Sequence, residues 1–473
     1  MTVTLRTVPP NLREAQAVAE LCVDFLRRDL LAFYPQSRFE PVAQGLDPAS
    51  FHPGLDFALI EEDAAEESGD AVQVELFGVR YRLTPREGIR FTPHDRRMIR
   101  AVGAVLGFRY YHLFQRSHGA RLELFQGGSE DHYVAAFVEP SVYAVPATRP
   151  SRVAPTLQAL RTAALSTYEN RRVSTGALLL GAGGDPDHLG YPTAPDALPY
   201  GPELTSLKSI HRLCDGRRTL FLVDRAGKLA DIIAIERWAS EMPGPSLPAV
   251  PCARAYAAHA RATGASGHVC VVLSPNQEIK LFAGGSQAFA FAHGRWRILD
   301  PASKFAVWES AVAHPPLARV LFQTALDLAE SRHGGLFVVV ADPGAAVGRL
   351  IAPHDLLVAE APDGPPAALP PGDPLARRAL HYLARGRGVT ELAPPVLEAL
   401  AGLDGALATD RAGRLLAFGA ILRHDASCPT APPSVEGART TAALVASHFG
   451  PVLKVSEDGI VSCFLNGARV WDL

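Results

Sequence analysis

The chain of 473 residues has no excess of one charge: 46 Lys and Arg stand against 49 Asp and Glu, a formal net charge of −3. Nucleic-acid binders carry a basic surplus, so no nucleic-acid partner is expected. Long apolar runs are also missing. The longest, such as Phe337-Val338-Val339-Val340-Ala341, have strand length and fall far short of the ~18 residues a membrane helix needs. Residues Met1 to Arg6 show no basic region leading into an apolar core, so no secretory signal is read there. A cytoplasmic protein without a membrane partner is expected. Cysteine is scarce, with six residues (Cys22, Cys214, Cys252, Cys270, Cys428 and Cys463). None forms a C-x-x-C pair, and no His stands beside them at zinc-ligand spacing. Their mostly apolar flanks mark them as reduced, buried small hydrophobes. There is no G-x-x-x-x-G-K-[ST], no H-E-x-x-H and no G-x-S-x-G. Gly181-Ala182-Gly183-Gly184 reads G-x-G-G, and Pro186 follows where a dinucleotide-binding helix would already be running.

What is present is an ordinary globular composition, 48% hydrophobic and 20% charged. At ~150 residues per domain, the length suggests about three domains. Residues 1–149 read as an α+β domain. Leu12 to Leu31 is an amphipathic helix pattern, and Glu61 to Glu67 an acidic loop. Gln73 to Leu83 is a strand pair around Gly78. Thr92-Pro93 starts a helix, with Pro at its first position. Arg121 to Phe125 and Tyr133 to Val138 flank Gly127-Gly128 as a hairpin. Val145 to Pro155 reads as a linker.

The next two regions, 155–301 and 317–473, resemble each other. Each opens with a helix running into a strand: Leu157 to Tyr168 then Thr175 to Leu180, and Leu317 to Ala329 then His333 to Val338. Asp224-Arg225-Ala226-Gly227-Lys228-Leu229 matches Asp410-Arg411-Ala412-Gly413-Arg414-Leu415, a strand, tight turn and strand. Ala253-Arg254 and Ala438-Arg439 each open an Ala-rich helix, 30 and 29 residues after the turn aspartate. Val271 to Ser274 pairs with Leu453 to Ser456. Each copy ends on a Gly-turn hairpin and a Trp, Trp296 or Trp471. These matched landmarks indicate a duplicated α/β unit with helices on the faces of a mixed sheet. The second copy carries a Pro-rich insert, Ala361 to Pro371, read as a surface loop.

The second copy runs through Leu403-Asp404-Gly405-Ala406, then Asp410 to Leu415, then Gly437-Ala438-Arg439-Thr440-Thr441-Ala442-Ala443, then Val455-Ser456-Glu457-Asp458-Gly459. This order resembles the diadenylate cyclase domain family, with its His-Asp-Gly-Ala, Gly-Thr-Arg-His-Arg-Ala-Ala and Ser-Glu-Glu-x-Gly motifs. The resemblance covers residues 317 to 473, and more weakly 155 to 301. It implies that two facing domains each hold one ATP and join them into cyclic di-AMP. A carboxylate, here Asp404, would hold Mg²⁺ or Mn²⁺ near the attacking hydroxyl and the α-phosphate. Gly405 would permit close backbone approach. Cationic side chains would grip the leaving pyrophosphate, with the Ser456-Glu457 loop near the triphosphate.

Departures redirect that expectation. Leu403 replaces the family's His, and Thr440 and Thr441 replace the His and second Arg that follow Arg439. In the first copy Arg218 stands six residues before Asp224, where Asp404 stands before Asp410. Pro275-Asn276-Gln277 follows Ser274, without the acidic residue. The resemblance is therefore to the degenerate, sensor-type variants of the fold (the DACNV class). The leading expectation is a non-catalytic pseudoenzyme of bacterial signalling that binds a nucleotide or nucleotide-derived ligand. Its pocket would be lined by Asp404, Gly405, Ala406, Arg439, Thr440, Thr441, Ser456 and Glu457, and an effector protein is an expected partner. Two other readings stand beside it: an active or residual diadenylate cyclase, and a structural interaction module with a vestigial pocket. The two copies fit an oligomer or an internal pseudo-dimer. Locally, Asp404-Gly405 also reads as a turn, Arg439 as a helix-start surface cation and Ser456-Glu457 as a plain turn.

Overall fold

The structure, a computed structural model, describes residues 12–42, 58–60, 71–76, 79–86, 90–114, 128–144, 151–181, 196–207, 209–242, 247–357, 381–384, 386–423 and 437–473. The acidic loop, Arg121 to Phe125, residues 145–150, Cys428 and the Pro-rich insert lie outside them. The fold is α/β, with two mixed sheets flanked by helices. Two compact units make up the chain: residues 1–247 with 258–299, and residues 248–257 with 300–473.

The amino-terminal unit opens with helix α1 (Leu12–Phe33) and strands β1 (Arg38–Pro41), β2 (Ala58–Ile60), β3 (Val72–Leu76) and β4 (Val79–Thr84). These strands form an antiparallel sheet in the order β1-β4-β3-β2. Helix α2 (Pro93–Phe114) starts as its sequence predicts. Thr92 Oγ1 accepts from the Asp95 amide at 3.2 Å and Asp95 Oδ2 accepts from the Thr92 amide at 2.7 Å, a reciprocal cap ahead of Pro93. Helix α3 (Ser129–Val138) corrects the hairpin reading of Tyr133 to Val138. Residues Asp131 to Phe137 are all buried, so no alternation distinguishes strand from helix there. Glu130 and Asp131 sit where the helix dipole favours acidic groups. Helix α4 (Val153–Ala164) takes up the end of the expected linker, with Pro155 in its first turn, where proline costs no hydrogen bond.

Short strands β5 (Thr167–Tyr168) and β6 (Arg171–Arg172) precede the first large sheet. That sheet contains β7 (Thr175–Leu179), β8 (Thr219–Val223) and β9 (Leu229–Ala234). Helices α5 (Ile235–Glu241) and α6 (Ala257–Ala262) follow, then β10 (Val269–Leu273), β11 (Ile279–Ala283), β12 (Ser286–Ala292) and β13 (Arg295–Ile298). In the carboxy-terminal unit come α7 (Pro301–Val312), α8 (Pro315–Glu330), β14 (Gly335–Val340), α9 (Pro343–Ala346) and α10 (Pro394–Ala401). Then follow β15 (Ala406–Asp410), β16 (Leu415–Ala420), α11 (Ala438–Ala446), β17 (Val452–Val455), β18 (Val461–Leu465) and β19 (Ala468–Asp472).

The two large sheets share one topology. Their orders are β12-β11-β10-β7-β8-β9, with β13 added at the edge, and β19-β18-β17-β14-β15-β16. In each, the two central strands, β7 with β8 and β14 with β15, are parallel, and every other pair is antiparallel. The central strands β7 and β14 are buried along their whole length, as strands covered on both faces must be. The pairing corrects one sequence landmark. Trp471 lies on β19, whose counterpart is β12, so Trp296 on the extra strand β13 has no equivalent in the second sheet. Trp296 serves the amino-terminal helices instead: its Nε1 donates to Asp131 Oδ1 at 2.7 Å. Core residues from α1 through β13 form one continuous hydrophobic cluster, including Leu26, Val102, Leu157, Leu179 and Phe289. Cys22, Cys214, Cys252, Cys270 and Cys463 are buried thiols.

Candidate functional site

The candidate site lies at one end of the second sheet. Parallel β14 and β15 both start there, and antiparallel β17 ends there, with Val455 opposite Gly335. The first turn of α11 reaches the same place. Arg439 crosses directly over Gly334: a Cβ on that glycine would lie 2.0 Å from Arg439 Nη1. From there the guanidinium bridges two loops. Nη2 is 3.6 Å from Asp404 Oδ1, before β15, and Nη1 is 3.3 Å from Glu457 Oε1, after β17. Two of the expected site residues therefore converge on the guanidinium of a third. The side chains of Asp404 and Glu457 are 95% and 74% exposed, and that of Arg439 is 36% exposed. Pairs this open to water are worth little and exchange readily.

The remaining expected residues take different parts. Gly405 has φ +112°, and a Cβ there would meet the Gly419 carbonyl carbon at 2.4 Å. It lets the chain turn tightly against β16, and Ala406 enters β15 opposite Ala420. Thr440 is buried and its Oγ1 accepts from Lys454 Nζ at 2.9 Å. Thr441 is half-buried in the same turn. Ser456 shapes its own loop. Its amide donates to the Ile460 carbonyl at 2.9 Å, its hydroxyl donates to Asp458, and it accepts from the Ile460 amide at 3.3 Å.

Lys454 and Gly334 were not read from the sequence as site residues. Lys454 is a cation inside the otherwise apolar strand Val452–Val455, two residues before Ser456, and that oddity was its only signal. Among the described residues no three His, Cys, Asp or Glu side chains converge as a metal site. A divalent cation here would draw most of its oxygen ligands from a bound phosphate chain, with Asp404 as one protein donor.

The sheet registers give the residue equivalences between the two copies. Ala177 lies beside Phe221 as Phe337 lies beside Leu407, and Leu273 opposes Thr175 as Val455 opposes Gly335. Arg218 thus stands where Asp404 stands, as the sequence spacing predicts, and Val272 stands where Lys454 stands. Arg218 is tied to Asp215 at 2.8 Å. Asp215 also accepts from the amides of Arg217, Arg218 and Thr219 at 2.9, 2.7 and 3.1 Å. Burial raises its pKa, but these hydrogen bonds outweigh burial and hold it well below the carboxylate range. The expected Ala-rich helix at Arg254 is a single 3-10 turn, Arg254–Tyr256, leading into α6. Arg254, the counterpart of Arg439, is engaged by Asp327 of α8 and lies 2.9 Å from Glu398 of α10. Gly181, which opens the glycine run, packs against the turn at Ser266 and Gly267, where a Cβ would lie 2.0 Å from the Ser266 carbonyl oxygen. Close packing therefore accounts for that glycine.

No family model and no curated protein matches the chain. Among solved structures, a hypothetical membrane spanning protein from Bacillus cereus is similar at 19% identity over 35% of this chain and 69% of that chain, with a TM-score of 0.24. A likeness at that level carries no argument about fold or function. No helix among the described residues is long and apolar enough to cross a membrane.

Proposed function

We propose that this protein is a non-catalytic sensor of a nucleotide or nucleotide-derived signal, bound at the end of the second sheet and read out through an effector protein. The observation that carries the reading is Arg439, held over Gly334 between Asp404 and Glu457. Its present pairs are exposed ones, worth ~0.2–1 kcal/mol each. Hydrogen bonds to a charged phosphate are worth about 1.5–3 kcal/mol, so a phosphate displaces the carboxylates. The two carboxylates on Arg439, Asp404 and Glu457, face the same space. They repel a bare polyphosphate. Mg²⁺ or Mn²⁺ would therefore arrive with the nucleotide and sit against Asp404.

The case against catalysis is the same chemistry counted at the leaving group. Pyrophosphate departure demands concentrated positive charge. In the first sheet Arg218 replaces the metal carboxylate, and Arg254 is engaged by Asp327 and Glu398. The test is to incubate the purified chain with ATP and Mg²⁺ or Mn²⁺ and resolve the products by chromatography, alongside thermal-shift measurements. A nucleotide-dependent rise in melting temperature without cyclic di-AMP is expected. Cyclic di-AMP that disappears in Asp404→Asn would replace this reading with a diadenylate cyclase. No shift with any nucleotide would replace it with a structural interaction module.

A further inference from the structure

We propose that Lys454 is a second phosphate-binding cation, and that it commits the ligand to a polyphosphate held once per chain, at the second sheet. The inference rests on the nucleotide-sensing reading above and names the part of the ligand this end of the sheet grips. Lys454 sits on β17, opposite Leu336 of β14 and Ser462 of β18. Its Nζ reaches the first turn of α11 and donates to Thr440 Oγ1 at 2.9 Å. Thr440 follows Arg439 in the chain, so one turn of α11 carries one cation and receives the other from β17.

Their placement runs against ordinary helix electrostatics. Cations belong at a helix's carboxyl end, and α11 has neither an acidic residue in its first turn nor a side-chain cap at Gly437. A bound anion reverses the sign of that cost. Thr440 links the pair: its hydroxyl oxygen accepts from Lys454 and keeps its own hydrogen to donate. Arg439 offers a planar fork suited to one phosphoryl group. Lys454 offers a compact point charge for the next. A nucleoside offers these groups no charged acceptor.

The first sheet lacks the set. Val272 occupies the register of Lys454, and Arg254 lies with Asp327 and Glu398. One site per chain follows.

Titration calorimetry on the full chain tests this with three probes: Mg·ATP, magnesium tripolyphosphate and adenosine. The wild type is expected to bind one ATP per chain, to bind tripolyphosphate and to ignore adenosine. Lys454→Met is expected to weaken both phosphate probes about ten- to hundredfold, and Lys454→Arg to recover most of that loss, with circular dichroism unchanged in both. If Lys454→Met binds like the wild type while Arg439→Ala does not, the role of Lys454 is overturned and the sensor reading stands. If Lys454→Arg binds as poorly as Lys454→Met, the loss reflects packing and the charge role is overturned. Two ATP per chain overturns the single site. A wild type that binds none of the probes overturns both this inference and the reading beneath it.

Discussion

Two glycines at the candidate site look alike in sequence and differ in physics. Gly405 is required by the backbone: its φ of +112° is closed to most side chains, and the atoms a Cβ would strike belong to the main chain of Gly419 and Ala420. Gly405→Ala is expected to destabilise the protein by about 3 kcal/mol in denaturant unfolding. A variant as stable as the wild type would show that the turn can relax. Gly334 is required by its neighbour instead. The atom its Cβ would strike is the tip of Arg439, which can swing into water. Gly334→Ala is therefore expected to change stability by no more than ~0.5 kcal/mol while weakening Mg·ATP binding in the same assay. Unchanged binding would mean that the position of Arg439 over Gly334 does not matter to the ligand.

At the scale of elements, the repeated turn was legible because its hydrogen bonds are local. Asp224 and Asp410 each accept the amide of the residue four positions on, at 2.7 and 2.8 Å, and each turn closes on a glycine with positive φ. Five residues contain the whole signal. The register of Arg218 against Asp404 followed from the same turn. Lys454 was hidden because it lies in a strand whose apolar neighbours read as core. The partners of Arg254 were invisible for a different reason: they lie 73 and 144 residues away, and only tertiary packing brings them near. That packing has a pH signature. Burial pushes the Asp327 carboxyl up to about 6, against the pull of the Arg254 amide and charge, with Glu398 adding to the rise. A carboxyl raised in the folded state gives stability that is complete below its unfolded pKa and is lost as pH rises through about 6. Removing the guanidinium raises it further. Arg254→Ala is expected to cost about 2 kcal/mol at pH 7.5, discounted from a fully buried pair because Arg254 is 38% exposed. At pH 5, where Asp327 is largely protonated, the cost should shrink to a fraction of that. Equal costs at both pH values in denaturant unfolding would mean that Arg254 acts through packing alone.

Across the whole molecule, the two compact units carry buried groups that titrate in opposite senses. In the amino-terminal unit, burial pushes His259 down to about 4, against the hydrogen bond that its Nε2 donates to the Gly216 carbonyl. Burial also pushes His268 down to about 4, with Arg152 and Arg225 adding to the fall. An imidazole depressed in the folded state gives stability that is complete above its unfolded pKa near 6.5 and is lost as pH falls toward 4. Each can remove about 2 kcal/mol between pH 7 and pH 4.5. In the carboxy-terminal unit, Asp327 works the other way and adds stability over the same fall. Acidification should therefore lower the calorimetric transition of the amino-terminal unit and hold or raise that of the carboxy-terminal unit. Asp327→Asn assigns the transitions, because it flattens the pH dependence of the carboxy-terminal unit and leaves the other unchanged. His268→Gln should make the amino-terminal transition less sensitive to acid. Both transitions falling in parallel, with neither substitution changing the slopes, would mean that surface charge governs the acid response and that these three buried groups contribute little to it.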